Sequence, residues 1–117
     1  MQFLEEYQEI VSKAIDKYTF KDKPEELYAP MNYIISHGGK RLRPIMVLMA
    51  NDMFGGDLQK AIKPALAIEF FHNFTLIHDD IMDEAPLRRN KPTIHTLHGI
   101  NAGFLSGDGL LLKAYKF

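Results

Sequence analysis

The chain of 117 residues contains no cysteine. That absence removes disulfides, thiolate nucleophiles and cysteine-ligated zinc from the chemistry open to it. Net charge is also nearly missing: 14 lysines and arginines against 15 acids leave a formal charge of −1. No global field therefore draws the chain to nucleic acid or to an anionic membrane, and any anion binding must come from local clusters. No apolar run approaches the roughly 20 residues that span a bilayer. The opening MQFLEEYQEIV carries acids early and lacks the basic-then-apolar order of a signal peptide. Together these absences predict a soluble, cytoplasmic protein without a transmembrane segment. Strand-like alternation, internal repeats, low-complexity tracts, a glycine-rich nucleotide loop and a nucleophile triad are absent as well.

What is present is helical periodicity in an ordinary globular composition, 46% hydrophobic and 25% charged. The length suits one domain over residues 1–117. Phe3, Leu4, Tyr7, Ile10, Val11, Ala14, Ile15 and Tyr18 recur at steps of three and four, one apolar face of a first helix. After a polar connector from Phe20 to Pro24, a second helix is expected from Glu25 to His37. Pro30 makes its first turns uncertain, and Gly38-Gly39 ends it. Pro44 suits the first turn of a third helix, Ile45 to Phe54, which is apolar nearly all round and so is expected at the centre. Gly55-Gly56 stops it. A long fourth helix starts at Leu58 or Ile62, with Pro64 in its first turn or marking its start, and runs to Asp83. A loop holding Arg88 to Thr93 leads to a last helix, Ile100 to Lys116, whose Gly103, Gly107 and Gly109 predict close helix packing. The fold class is all-α.

Two clusters break local rules. Asp79, Asp80, Asp83 and Glu84 crowd the C-terminal end of the fourth helix, where exposed carbonyls already concentrate negative charge. One reading is a solvated acidic end, but the flanking TLIHDDIMD is otherwise core-like. At about 100° per residue, Asp79 and Asp83 share a face about 5–6 Å apart. That spacing suits magnesium, which takes one or two carboxylates, keeps waters and completes its shell with phosphate oxygens. The second cluster, Lys40-Arg41-Leu42-Arg43, sets cations at a helix N-terminus, again against the dipole. It reads either as a solvated basic loop or as an anion site in which Lys40 and Arg43 join free backbone N–H groups. Arg88-Arg89 adds charge just beyond the aspartates. Rules that fail locally are expected at functional sites.

Gly38-Gly39-Lys40-Arg41-Leu42-Arg43-Pro44, Glu69-Phe70-Phe71-His72, His78-Asp79-Asp80-Ile81-Met82-Asp83, Arg88-Arg89-Asn90-Lys91-Pro92-Thr93 and Gly107-Asp108-Gly109-Leu110-Leu111 stand in that order. From about Tyr28 onward they closely resemble the trans-isoprenyl diphosphate synthases, or polyprenyl synthetases. The resemblance implies a helical bundle of the isoprenoid synthase type. It also implies a prenyltransferase that condenses isopentenyl diphosphate with an allylic diphosphate by Mg2+-assisted ionisation. Asp79 and Asp83 would ligate magnesium with Asp80 assisting, and Arg88 would hold the allylic diphosphate. Lys40, Arg43, His72 and Arg89 would hold the diphosphate of isopentenyl diphosphate. Phe71, Phe74 and Thr75 are the implied chain-length positions. By helical geometry Thr75 lies about 40° from Asp79 and Phe74 about 140° away, so Phe74 is expected to reach the cavity from its side. Asn90 replaces the family's usual glycine, and asparagine also tolerates left-handed backbone.

The family's second aspartate-rich motif is absent, and the sequence stops at Lys116-Phe117 with the helical pattern running. The chain is therefore expected to be the first half of the fold, associating with a second copy or with a C-terminal half. A non-catalytic or regulatory diphosphate-binding subunit is the rival reading. Two weaker alternatives remain open: Glu69-x-x-His72 as half of a di-iron bundle site, and His78-Asp79 as part of a metal-dependent phosphohydrolase. His37, His95 and His98 read as structural or solvated.

Overall fold

The computed structural model describes residues 2–18, 20–21, 24–36 and 40–117. Among them, six helices and a short hairpin follow in order: α1 Gln2–Lys17, α2 Glu25–Ser36, α3 Leu42–Met53, α4 Leu58–Met82, β1 Leu87–Arg88, β2 Lys91–Pro92, α5 Ile94–His98 and α6 Ile100–Lys116. The expected end of the second helix at His37 and Gly38-Gly39 lies outside the described residues.

The central element is α4. Asp57 caps it, its carboxylate accepting the Gln59 N–H at 3.0 Å, which satisfies a donor the first turn leaves free. Its buried residues, Ala61, Ala65, Leu66, Glu69, Phe70, Asn73, Ile77 and Asp80, recur at helical spacing. The helix touches α1, α2, α3, α5 and α6. Pro64 falls inside the helix rather than in its first turn, because the Asp57 cap fixes the start upstream. It sits at an exposed position, where water can solvate the carbonyl that proline leaves without a donor.

Helix α3 is not central, contrary to its composition. It buries Pro44, Ile45 and Leu48 against α4 and α1, while Leu42, Met46, Met53 and Phe54 stay exposed. An all-round apolar pattern says that a helix can be covered on every side. It does not say which neighbours lie within this chain. Pro44 does fall in the first turn of α3, as its preset φ predicts.

Phe70 anchors the core with no exposure, its ring 5.8 Å from Phe20 and 5.1 Å from Phe117. Asn32 of α2 pins the connector by bonding the Phe20 N–H at 2.8 Å and its carbonyl at 2.7 Å. Pro30 lies buried within α2, which runs through it unbroken.

The glycines of α6 do what their spacing predicts. A Cβ on Gly103 would lie 2.8 Å from Ile81 Cδ1, and one on Gly107 only 2.5 Å from His78 Nε2. Helices α4 and α6 therefore meet at backbone distance, with the His78 ring seated over Gly107. Alanine there gains about 1 kcal/mol of helix propensity, while overpacking a filled contact costs about 1–3 kcal/mol. The Gly107→Ala protein should therefore melt at lower temperature than the wild type. A higher melting temperature would show the His78 ring sliding freely aside.

Candidate functional site

The basic cluster is organised from the inside. Arg41, at the N-cap of α3, holds a left-handed backbone with φ 53° and ψ 36°. Its side chain turns inward: Nη1 donates to Glu69 Oε1 at 2.9 Å and Nη2 to the Ile35 carbonyl. Asn73 Nδ2 donates to the same Glu69 Oε1 at 3.0 Å and to the Glu69 carbonyl at 2.8 Å. The Arg41 and Glu69 side chains are only 8% and 6% exposed. With Arg41 committed inward, Lys40 and Arg43 remain at the surface.

Lys40, Arg41, Leu42, Arg43, Glu69, His72 and Arg89 line one open cleft of about 420 Å³. Arg43 Nη1 lies 3.2 Å from His72 Nε2. A guanidinium only donates, so in this contact His72 Nε2 is the acceptor. Burial is the main force lowering the His72 pKa, and Arg43, Arg89 and Arg88 push the same way against Glu69.

The acidic end is organised differently. Asp79 and Asp83 stand one turn apart and exposed, with the Asp83 N–H donating to the Asp79 carbonyl at 2.8 Å. Asp80 turns into the protein. Its oxygens accept Arg88 Nε at 2.8 Å and Arg88 Nη2 at 2.7 Å, a bidentate pair. That bond is the chief cause holding the Arg88 guanidinium above its ordinary pKa. The sequence expectation made Asp80 an assisting ligand; the structure commits both its oxygens to Arg88. Among the described residues, no three carboxylates or imidazoles gather to enclose a metal ion. The exposed pair Asp79 and Asp83 fits magnesium as a two-carboxylate partner that leaves the remaining positions to water and phosphate oxygens.

A hairpin separates the paired arginines. Leu87 pairs with Pro92 and Arg88 with Lys91, and the central residues Arg89 and Asn90 have φ of 51° and 63°. Positive φ at both positions is the signature of a type I′ turn. Asn90 thus takes the left-handed backbone that its residue type tolerates. Arg88 reaches back to Asp80, while Arg89 at the tip lines the basic cleft. The hairpin and α5 escape periodicity because elements of two and five residues are too short to show any.

Along α4, His72, Thr75 and Asp79 share a stripe, and Thr75 Oγ1 donates to the His72 carbonyl at 2.5 Å. Phe71, Phe74 and His78 form an adjacent aromatic row, with ring separations of 5.2 and 5.0 Å, which meets Phe104 of α6 at 5.4 Å. Phe74 thus flanks the stripe from the α6 side. The two weaker alternatives lose their geometry here. Glu69 is committed to Arg41 and Asn73. His78 Nε2 faces α6, 3.3 Å from the Phe104 carbonyl and 3.5 Å from Asp108, not Asp79.

The bundle thus sets a basic cleft and an exposed carboxylate pair along one central helix. The chain matches the polyprenyl synthetase family over residues 24–117. It is 42% identical to a geranylgeranyl pyrophosphate synthase of Geoglobus acetivorans, across 98% of this chain and 36% of that protein. It is 43% identical to a geranylgeranyl diphosphate synthase of Methanosarcina mazei, across 91% and 33%. Among solved structures, the G. acetivorans synthetase superposes with a TM-score of 0.93 at 42% identity, covering 97% of this chain and 37% of that one. A geranyltransferase from Legionella pneumophila gives 0.93 at 30% identity, covering 98% and 42%. The chain belongs to the polyprenyl synthetase family, and its fold is the helical bundle of the isoprenoid synthases. It spans about a third of the length of the curated relatives it matches.

The His72 environment has a measurable sign. Its pKa is lowered in the folded protein, so below the ordinary value of 6.5 the unfolded chain takes up a proton that the native ring resists. This group's effect on stability is absent above pH 6.5 and becomes destabilising as pH falls from there toward the native pKa. A bound anion favours the imidazolium and reverses the shift. In an NMR titration, His72 should titrate below 6.5 in the free protein and higher with saturating inorganic diphosphate. A free-protein value above 6.5 contradicts the burial and arginine effects.

Proposed function

We propose that this chain carries the substrate diphosphate sites of a prenyltransferase that condenses isopentenyl diphosphate with an allylic prenyl diphosphate. One observation supports the reading: a basic cleft and an exposed carboxylate pair, which would meet a diphosphate through a bound cation, lie along one stripe of α4. His72 marks the basic cleft and Asp79 the acidic end, about 10 Å apart by the helical rise. That separation suits two diphosphates whose hydrocarbon ends meet between them.

Lys40, Arg43, His72 and Arg89 hold the diphosphate of isopentenyl diphosphate and aim its double bond toward the allylic carbon. Arg88, braced by Asp80, holds the allylic diphosphate. Asp79 and Asp83 would hold magnesium, which would supply neutralising charge to the diphosphate that leaves with the electron pair of the broken allylic carbon–oxygen bond. The isopentenyl double bond then forms the new carbon–carbon bond, and loss of a proton restores a double bond. The aromatic row of Phe71 and Phe74 beside Thr75 excludes water and bounds the growing chain. Several relatives and neighbours bear geranylgeranyl or geranyl names, which supports products of farnesyl to geranylgeranyl size.

The proposed partners are the two diphosphates, together with a second copy or a C-terminal half against the exposed apolar side chains of Met46, Phe54, Leu105, Leu112 and Tyr115. A diphosphate-binding role without transfer is the second reading, favoured by a basic cleft whose lining and inner Arg41–Glu69 anchor both lie within this chain. Incubating the full-length protein with magnesium, labelled isopentenyl diphosphate and allylic diphosphates decides between them. Chain extension supports transfer, whereas tight binding without extension supports the second reading.

Asp79→Ala or Asp83→Ala should lower turnover by several orders of magnitude with little loss of stability, because a carboxylate is removed from a helix end that disfavours it. Lys40→Ala and Arg43→Ala should mainly raise KM for isopentenyl diphosphate, because their contacts exist before and during reaction. Arg88→Ala should act on the allylic partner instead. Equal weakening of both substrates by all three basic substitutions overturns the separate pockets.

Phe74→Ala should lengthen the products, read by chromatography of the dephosphorylated alcohols. An unchanged distribution would reduce Phe74 to plain packing.

A further inference from the structure

The basic cleft has a carboxylate in its wall. Glu69 lines it together with Lys40, Arg43, His72 and Arg89, and a negative charge there opposes any anion the cleft receives. Burying Glu69 with Arg41 is also no route to stability. Desolvating such a pair costs several kcal/mol per ion, and well-packed apolar replacements of the same volume are often as stable or more so. Arg41 further holds a left-handed backbone, which costs a non-glycine residue about 1–2 kcal/mol. Two unfavourable features at one place call for a return elsewhere.

The return is orientation. The planar Arg41 fork ties the α2 carbonyl of Ile35 to Glu69 of α4, and Asn73 fixes the same Glu69 oxygen from one turn further along. Lys40 precedes this clamp and Arg43 follows it by two residues. With the clamp set, Arg43 lies 3.2 Å from His72, three residues beyond Glu69 on the same helix. Three elements, the end of α2, the start of α3 and the middle of α4, are locked in register around the cleft.

We infer that Arg41 and Glu69 are positioning residues for the basic cleft: their buried ion pair sets the spacing of Lys40 and Arg43 against His72, and neither touches the bound diphosphate. This rests on the reading of the cleft as a diphosphate site. Lysine does not replace Arg41, because it lacks the planar fork that bonds two acceptors at once.

The sign of one substitution separates positioning from electrostatics. Glu69→Gln removes a negative charge beside the cleft, so simple electrostatics predicts tighter diphosphate binding. Loss of positioning predicts weaker binding. We expect Glu69→Gln and Arg41→Lys to weaken inorganic diphosphate binding to the full-length protein by about tenfold or more, the scale at which loosened supporting contacts act. The paired Arg41→Met/Glu69→Met variant keeps the volume apolar and should melt close to the wild type while showing the same loss. In turnover assays, KM for isopentenyl diphosphate should rise while KM for the allylic partner and kcat stay near wild type. A merely destabilised fold would instead lower kcat for both substrates together. Calorimetry with inorganic diphosphate reads each outcome. If the wild type binds and all three variants bind as tightly or more tightly, the positioning role is overturned and the site reading survives. If the wild type binds no diphosphate at all, the site reading falls and takes this inference with it.

Discussion

The structure depends on keeping opposite charges apart along one helix. A basic cleft and an acidic pair lie along one stripe of α4, and direct contact between them would neutralise both. The His72 and Asp79 positions that mark them are about 10 Å apart by the helical rise, and unit charges at such a distance attract by only about 0.4 kcal/mol in water. A rigid helix resists a pull of that size. Behind each receptor lies an ion pair that takes up charge which could otherwise collapse into it: Arg41 with Glu69 behind the cleft, and Arg88 with Asp80 behind the aspartates. In each pair one side chain is drawn from a surface cluster into the protein, so the cluster's remaining members face outward. Arg41 does this for Lys40 and Arg43, and Asp80 does it for Asp79 and Asp83.

Backbone strain gathers at the same place. Among the described residues, the non-glycine residues with left-handed φ are Arg41, Glu84, Arg89 and Asn90. Each carries a cost that persists only where surrounding contacts enforce it. The Arg41 clamp enforces the first. Around Glu84, the Ala85 N–H bonds the Asp80 carbonyl at 2.9 Å and Thr93 Oγ1 bonds the Ala85 carbonyl at 2.8 Å, closing the chain reversal that carries Arg88 back over α4. The hairpin pairing enforces the last two and splits adjacent arginines between two receptors. Strain at these four positions sends neighbours in sequence to separate places, Arg88 to Asp80 and Arg89 to the basic cleft.

Much of this was legible in the sequence because long periodic segments and charge misplacement are local signals. The apolar face of α1, the span of α6 and its close glycine contacts, and the clustering of Lys40, Arg43, His72 and Arg89 follow from spacing, residue type and family resemblance. The illegible parts depend on direction and on neighbours. Nothing in Lys40-Arg41-Leu42-Arg43 says that the middle arginine turns inward, since long cationic side chains are normally exposed. Nothing in Asp79-Asp80 says which carboxylate faces Arg88. The composition of α3 pointed to the centre, but its place was decided by which helices this chain supplies to cover it. The hairpin is visible only through Arg89-Asn90, once asparagine is allowed to stand for glycine in a left-handed turn.

The misplaced charges would also couple the proposed site to its ligands. Acids in the last turn of α4 and bases at the start of α3 each oppose the local helix dipole, by about 0.3–1 kcal/mol per exposed charge. These are small debits for the free fold, yet they have one common sign and one common remedy. A diphosphate in the basic cleft would supply the negative charge that the start of α3 lacks. A cation between Asp79 and Asp83 would supply the positive charge that the end of α4 lacks. Anything that binds the native state and not the unfolded chain stabilises the native state by mass action. Here the stabilisation falls on the helix ends that the sequence leaves unfavourable. On the proposed function, ligand affinity and local order would draw on the same electrostatic imbalance, and relieving that imbalance without ligand would weaken the reason to bind.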